Sequence, residues 1–329
     1  MLDEATLQPL ATRPSPWKMA AYLALTLLVI AGIAWYFRKD LPQILAHPEQ
    51  FWQIDFRLAA LALLALLVTS FVDILIWNRM LGWFTAPLPF RQVAPVYIWS
   101  YLARYIPGKV GSLLLRVALA SAVQREPVPV LAASAVELAL RTASALVLFL
   151  LVLWGWAGAQ YHRVFIVLIA LVPFILLCAH PRVMMPVLNW VLKKMKQAPL
   201  AHTLHYGEVL GLFVALAARW ALFGLGFYLL ARAIFAELGS HLLLFTGLGA
   251  GSWALGFLGM SPGGAGIMEA VQMPVLTGLL HMPAVAALIL VIELRLLSLL
   301  AEGLWALAVI PLWRARVSAS APAPSTPVP

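Results

Sequence analysis

The sequence predicts an all-α polytopic membrane protein in which a unit of span, hairpin and span occurs twice with inverted topology. Three observations lead there. Hydrophobic residues make up 63% of the 329 positions and charged residues only 11%, with mean hydropathy +0.94; soluble domains carry about a quarter charged residues. Apolar runs long enough to cross roughly 30 Å of hydrocarbon recur along the chain. Two further apolar stretches are broken near their middles by Pro107-Gly108-Lys109-Val110-Gly111 and Pro262-Gly263-Gly264-Ala265-Gly266.

Residues 1–16 are polar and proline-bearing and are expected to be disordered. The first apolar run, Trp17 to Phe37, follows Arg13 and Lys18, and Ala31-Gly-Ile-Ala34 has the small residues of a signal-peptide cleavage site. The run is about 21 residues long, enough to span, and more spans follow, so it reads as an uncleaved anchor. Further full spans are expected at roughly 57–79, 128–156, 163–180, 207–236 and 283–313, giving about six in all. The broken segments, 91–124 and 241–280, are the two hairpins. Repeat 1 then covers about 57–156 and repeat 2 about 207–313, within one integral domain at 17–316. The Ser/Ala/Pro tail at 317–329 is expected to be disordered. Trp17, Trp35, Trp77, Trp154, Trp156 and Trp313 fall near span ends, where interfacial indoles are favoured.

Lysine and arginine set the orientation. The 181–206 loop holds Arg182, Lys193, Lys194 and Lys196, and the end of the last span carries Arg314 and Arg316, so both are expected to be cytoplasmic. The stretches 157–162 and 237–241 carry no Lys or Arg, which suits the outside. Arg79, Arg91, Arg125 and the N-terminus then lie inside. Segment 91–124 begins and ends inside, and segment 241–280 begins and ends outside. Three full spans between them force the opposite orientation, whether the breaks are re-entrant or are turns between short spans.

The breaks carry the chemistry. Proline removes a helix hydrogen bond and glycine lets the backbone turn sharply. Exposed backbone groups cost several kcal/mol each in lipid, so broken helices persist only against protein or a wet cavity. A helix restarting after Gly111 or Gly266 directs N–H groups and its positive dipole end into such a space, which suits phosphate. Arg104, Lys109 and Arg116 add full positive charge around the first break, whereas the second has no Lys or Arg and instead has Glu269 in the first turn of its restarting helix.

Charged residues within the spans point to an interior polar space. Glu137 and Arg141 are four apart on one face, with the Glu first, the better order for a pair. Arg219 lies near the middle of its span. Glu293 and Arg295, two apart, cannot share a face, but Arg295 and Glu302, seven apart, can. An ionised Arg, Lys or Asp at the bilayer centre costs roughly 2.5–3.5 kcal/mol on insertion scales, so these groups are expected to face the bundle interior. Asp73 and Arg232 lie nearer span ends and read as structural or interfacial.

Other chemistries are poorly served. A single Cys178 excludes an internal disulfide and a Cys-based zinc site, and the seven His lack metal spacing. Gly247-Leu-Gly249-Ala-Gly251 has no strand beside it and reads as a small-xxx-small helix contact rather than a nucleotide loop. No Walker loop, His-Glu-x-x-His or nucleophile–base set stands out, so neither an enzyme nor a cofactor or metal is expected. The net charge of +9 sits in short loops and not on a basic, aromatic-bearing face, which argues for topology rather than nucleic acid.

Arg104-Tyr-Ile-Pro107-Gly108 through Gly111 and Arg116, with Pro262-Gly263-Gly264-Ala-Gly266-Ile-Met-Glu269, resembles the lysylphosphatidylglycerol synthase transmembrane-domain family. That family includes the flippase half of the multiple peptide resistance factors and stand-alone bacterial inner-membrane proteins. The likeness runs from about residue 20 to 314, with Lys109 where a Gly is common. The resemblance implies an inverted repeat with re-entrant helices around a lipid-handling cavity. It points to Arg104, Arg116, Glu137, Arg141, Glu269 and Arg295 as cavity residues. The soluble aminoacyl-transferase domain of the resistance factors has no counterpart here, so synthesis of an aminoacylated lipid is not expected of this chain.

The expected function is therefore movement or presentation of a phosphate-bearing polar lipid across a bacterial inner membrane, with both termini cytoplasmic. The expected head-group site comprises Arg104, Pro107, Gly108, Lys109, Gly111, Arg116, Glu137, Arg141, Pro262, Gly263, Gly264, Gly266, Glu269 and Arg295. Its partners would be membrane lipids, with a lipid-synthesising enzyme as a further one. A small-solute or ion exporter, or a non-transporting scaffold for an envelope-lipid enzyme, are the alternatives.

Overall fold

The computed structural model describes residues 54–105, 111–156, 166, 170–200, 204–259, 262–264 and 266–319. The expected anchor at 17–37, the ends 1–16 and 320–329, and Pro107, Gly108 and Lys109 of the first break lie outside the described residues. All regular structure among the described residues is helical. Four helices among them are long and apolar enough to cross a membrane, which is the composition of a polytopic helical membrane protein.

The first of these is α1 (Phe56–Leu81), started by Asp55, whose carboxylate accepts from the Arg57 and Leu58 amides. Beyond it, the Asn78 amide clamps the Leu88 backbone at both its N–H and its carbonyl, fixing the approach to α2 (Phe90–Leu102). Helix α2 tightens into a short 3₁₀ turn at Ala103–Tyr105, and α3 (Gly111–Ser121) follows the first break. The long helix α4 (Pro127–Trp156) has proline as its first residue, where the missing N–H is not needed.

Of the expected span at 163–180, residues 163–165 and 167–169 lie outside the described residues; the rest holds α5 (Leu171–Cys178), and α6 (Pro181–Lys194) follows it after a bend of 60°. The expected 181–206 loop is thus helical over its first half. The His180 ring nitrogen accepts from the Arg182 amide and restarts the helix after the bend. Helix α7 (Tyr206–Ile234) is the third apolar span, and α8 (Leu242–Leu258) leads to the 3₁₀ turn Pro262–Gly264 at the second break. Gly263, Gly264 and Gly266 all have positive φ, a region closed to most other residues, which is why the break is glycine-rich. Helix α9 (Ile267–Gly278) precedes the fourth span, α10 (Ala284–Ala308), which runs on into α11 (Ile310–Ala319). Helix α11 takes in residues 317–319 of the tail expected to be disordered.

Helix α7 packs along α1, and α8 fills the space between α4 and α7. Close approach there depends on glycine. A Cβ on Gly247 would lie 2.6 Å from Val152 and one on Gly251 would lie 2.1 Å from Phe149, both on α4, so this stripe is a helix contact as its spacing predicts. Trp77 is not an interfacial indole: it is fully buried, and its Nε1–H donates to Ser134 Oγ of α4 at 3.2 Å. The two helix pairs at the breaks, α2 with α3 and α8 with α9, each pack together, and the two 3₁₀ turns touch each other. The turn before the first break therefore meets the turn at the second.

Candidate functional site

A cavity of about 210 Å³ is lined by both 3₁₀ turns, through Arg104 of the first and Gly263 and Gly264 of the second. Five arginines line it (Arg104, Arg116, Arg141, Arg219 and Arg295) against four carboxylates (Asp73, Glu137, Glu269 and Glu302), leaving one positive charge in excess. Tyr101, Phe223, Trp253 and Phe257 supply much of the apolar wall.

The charges fall into two groups. The deep group is closed from solvent. Asp73 on α1 takes the Arg219 guanidinium of α7 in a fork, Nε to Oδ1 at 3.0 Å and Nη2 to Oδ2 at 3.1 Å, and also accepts from Arg141 Nη2 of α4. Glu137, one turn before Arg141, lies 3.0 Å from it and accepts from Arg116 of α3 and from the Tyr97 hydroxyl of α2. The Arg141 Nη2 also donates to the Tyr97 oxygen at 2.9 Å. Arg116 lies over the Tyr97 ring at 4.5 Å, and Arg219 over Trp220 at 4.1 Å, so aromatic faces carry part of the desolvated charge. Five helices are thus tied through one network, in which paired burial makes each ion tolerable.

The second group sits at the rim. Arg104, on the 3₁₀ turn after α2, pairs with Glu302 of α10, and its side chain is 25% exposed. Arg295 of α10 donates to Glu269 Oε1 from Nε at 3.0 Å and from Nη2 at 2.7 Å, and is 30% exposed. Its Nη1 also reaches the Gly263 carbonyl at 3.4 Å. The second break, with no cation in its own sequence, therefore receives one from a distant helix. Glu269 in turn folds back so that Oε2 accepts the Gly266 N–H at 2.6 Å. The α9 N-terminus thus already has the helix's own carboxylate beside it, on the Gly266 N–H.

Some polar atoms in the wall have no hydrogen-bond partner among the described residues, although they are buried: Arg141 Nε, Arg219 Nη1 and Glu302 Oε2. Such atoms cost free energy unless water or a ligand meets them.

Of the residues expected in the site, Arg104, Arg116, Glu137, Arg141, Gly263, Gly264, Glu269 and Arg295 line the cavity. Gly111 opens α3 and Gly266 caps α9 beside it, and Pro262 begins the second 3₁₀ turn. Three residues were outside the expected set. Asp73 is not interfacial but 2% exposed at the centre of the deep network. Arg219, noted mid-span, joins it. Glu302 pairs with Arg104 and not with Arg295 seven residues away on its own helix; Glu293 does not line the cavity. Hydropathy marks each of these as a charge within an apolar run, yet only the fold reveals the partner.

No protein-family model matches this chain, and no curated protein matches it either.

Proposed function

We propose that this protein moves or presents a phosphate-bearing polar lipid across the bacterial inner membrane by way of the charged cavity. The observation that carries the reading is the pair of rim guanidiniums, Arg104 and Arg295: each stands near a Pro-Gly run, each is partly exposed, and each is paired with a carboxylate, Glu302 and Glu269. A head-group phosphate entering the cavity takes over the donors that Glu302 and Glu269 now occupy, while the acyl chains stay in the surrounding lipid. The deep network holds the helices together as the rim pairs open and close, exposing the cavity to one side and then the other.

The topology proposed with this is an inverted repeat, with α1 to α4 matched by α7 to α10 and both termini in the cytoplasm. The pattern of neighbours supports it. Helix α1 packs on α4 as α7 does on α10, α3 on α4 as α9 on α10, and α4 on α8 as α10 on α2. Broken helices at matching places in two halves are a common way to build a transport site at bilayer depth. The resemblance of both Pro-Gly motifs to the lysylphosphatidylglycerol synthase transmembrane-domain family belongs to the same proposal, as do membrane lipids and a lipid-synthesising enzyme as partners.

Reconstitution in liposomes of bacterial lipid tests the reading, by following transbilayer movement of head-group-labelled phospholipid. The native chain is expected to move the label and Glu269→Gln to slow it about tenfold or more, since bonds to charged groups are worth about 1.5–3 kcal/mol. Movement of neither, alongside uptake of a small anion, would replace the lipid reading with solute export. No movement of either, with retention of a partner enzyme, would replace it with a scaffold.

A further inference from the structure

We propose that α6 is an interfacial helix that binds the anionic head groups of the bilayer surface. This inference needs the chain to lie in a membrane but does not rest on the cavity. Helix α6 leaves the axis of α5 by 60°. One of its faces buries Met184, with Met185 and Leu188 packed beside it, in an apolar cluster that also takes in Ile76 and Met80 of α1 and Val209 and Leu212 of α7. Those are the last turns of α1 and the first turns of α7, so α6 is tucked beneath the ends of two apolar spans, at the depth where a bilayer meets water.

A second face is apolar and uncovered. Val183, Val187 and Trp190, spaced four and three residues apart and so aligned on one side, are 36%, 56% and 58% exposed. Beside this stripe stand Arg182, Lys193, Lys194 and Lys196, all exposed. No Asp or Glu occurs between residues 181 and 207 to oppose them. The Lys194 ammonium lies 4.6 Å from the Trp190 ring, its stem along the apolar side and its charge at the edge. The Asn189 amide holds the Leu200 backbone at both N–H and carbonyl, which folds residues 195–200 back and keeps Lys196 beside the helix.

An apolar stripe with an unopposed basic edge is the pattern of a helix lying in the head-group layer, with hydrophobic side chains among the upper acyl segments and lysines on phosphates. The charge complementarity selects anionic over zwitterionic lipid, as each basic residue near such a surface contributes about fivefold in binding.

The test places a nitroxide at position 190, through Trp190→Cys in a Cys178→Ser background, in the full chain reconstituted in vesicles. Collision with oxygen and with a water-soluble nickel chelate reads its depth, in phosphatidylcholine alone and with phosphatidylglycerol added. The expected label lies about 5–10 Å within the boundary layer, more firmly held when phosphatidylglycerol is present. In the otherwise native chain, substituting Lys193, Lys194 and Lys196 by Gln is expected to reduce co-purified phosphatidylglycerol about fivefold per charge. A label open to the nickel chelate as a water-facing loop is, one at the bilayer centre, or one shielded from both reagents by a protein contact would each overturn the proposal. So would unchanged phosphatidylglycerol in the lysine variant.

Discussion

Arg295 joins α10 to the second break, with two of its nitrogens on Glu269 Oε1 and the third on the Gly263 carbonyl. One side chain thereby links a turn of positive-φ glycines to the carboxylate that accepts the Gly266 N–H. Arg295→Gln shortens the side chain and removes its charge, and is expected to slow labelled-lipid movement about tenfold to a hundredfold. Because the pair is partly exposed, its melting temperature in detergent should change little. Arg295→Lys should recover only part of the rate, since an ammonium cannot reproduce the three-way geometry.

The deep network should behave in the opposite way. Asp73 serves both Arg141 and Arg219, so Asp73→Ala leaves two buried guanidiniums without their shared counter-charge. Removing one partner of a buried ion pair costs about 3–5 kcal/mol. Thermal unfolding of the purified protein should show a large drop for Asp73→Ala; an unchanged melting curve would mean that the network is not structural.

Helix contact through glycine gives a paired prediction. Gly251→Ala drives a methyl into Phe149 and should cost about 1–3 kcal/mol as an overpacked core. Gly211→Ala, where a Cβ meets nothing within 4 Å, should be neutral or gain about 0.5–1 kcal/mol in a helix interior. The same melting assay compares them.

The rim pair Arg104–Glu302 spans from the first break to α10 and is expected to part as the cavity changes face. In a Cys178→Ser background, Arg104→Cys with Glu302→Cys should already move lipid more slowly; joining the two by a short disulfide-containing cross-linker should stop what movement remains, and reduction should return it to the rate before cross-linking. Undiminished movement after complete cross-linking would show that this contact stays closed through the cycle.

Much of this architecture was legible in the chain because the bilayer imposes simple rules. Length and hydropathy found α1, α4, α7 and α10, and the Pro-Gly runs found the two breaks. Glu137 with Arg141 could be paired in advance, since one helix carries both. Partners on different helices could not: nothing in the sequence joins Arg104 to Glu302 or Arg295 to Glu269, because those contacts exist only once the two turns meet. Asp73 reads as structural or interfacial from the sequence; the fold makes it structural, between arginines of two other helices that the sequence alone does not join to it. Helix α6 was read as a loop because two prolines and three basic residues hid its apolar stripe.

The central claim is that a lipid head group enters this cavity, and photocross-linking tests it most directly. A phospholipid with a diazirine on its head group would be incorporated with the reconstituted protein, irradiated, and the adducts mapped by mass spectrometry. The account predicts adducts on cavity-wall residues such as Met268 and Ser298, reduced in Arg295→Gln. Adducts confined to outward-facing positions such as Phe174, Val214 and Leu307, with the cavity unlabelled, would contradict it.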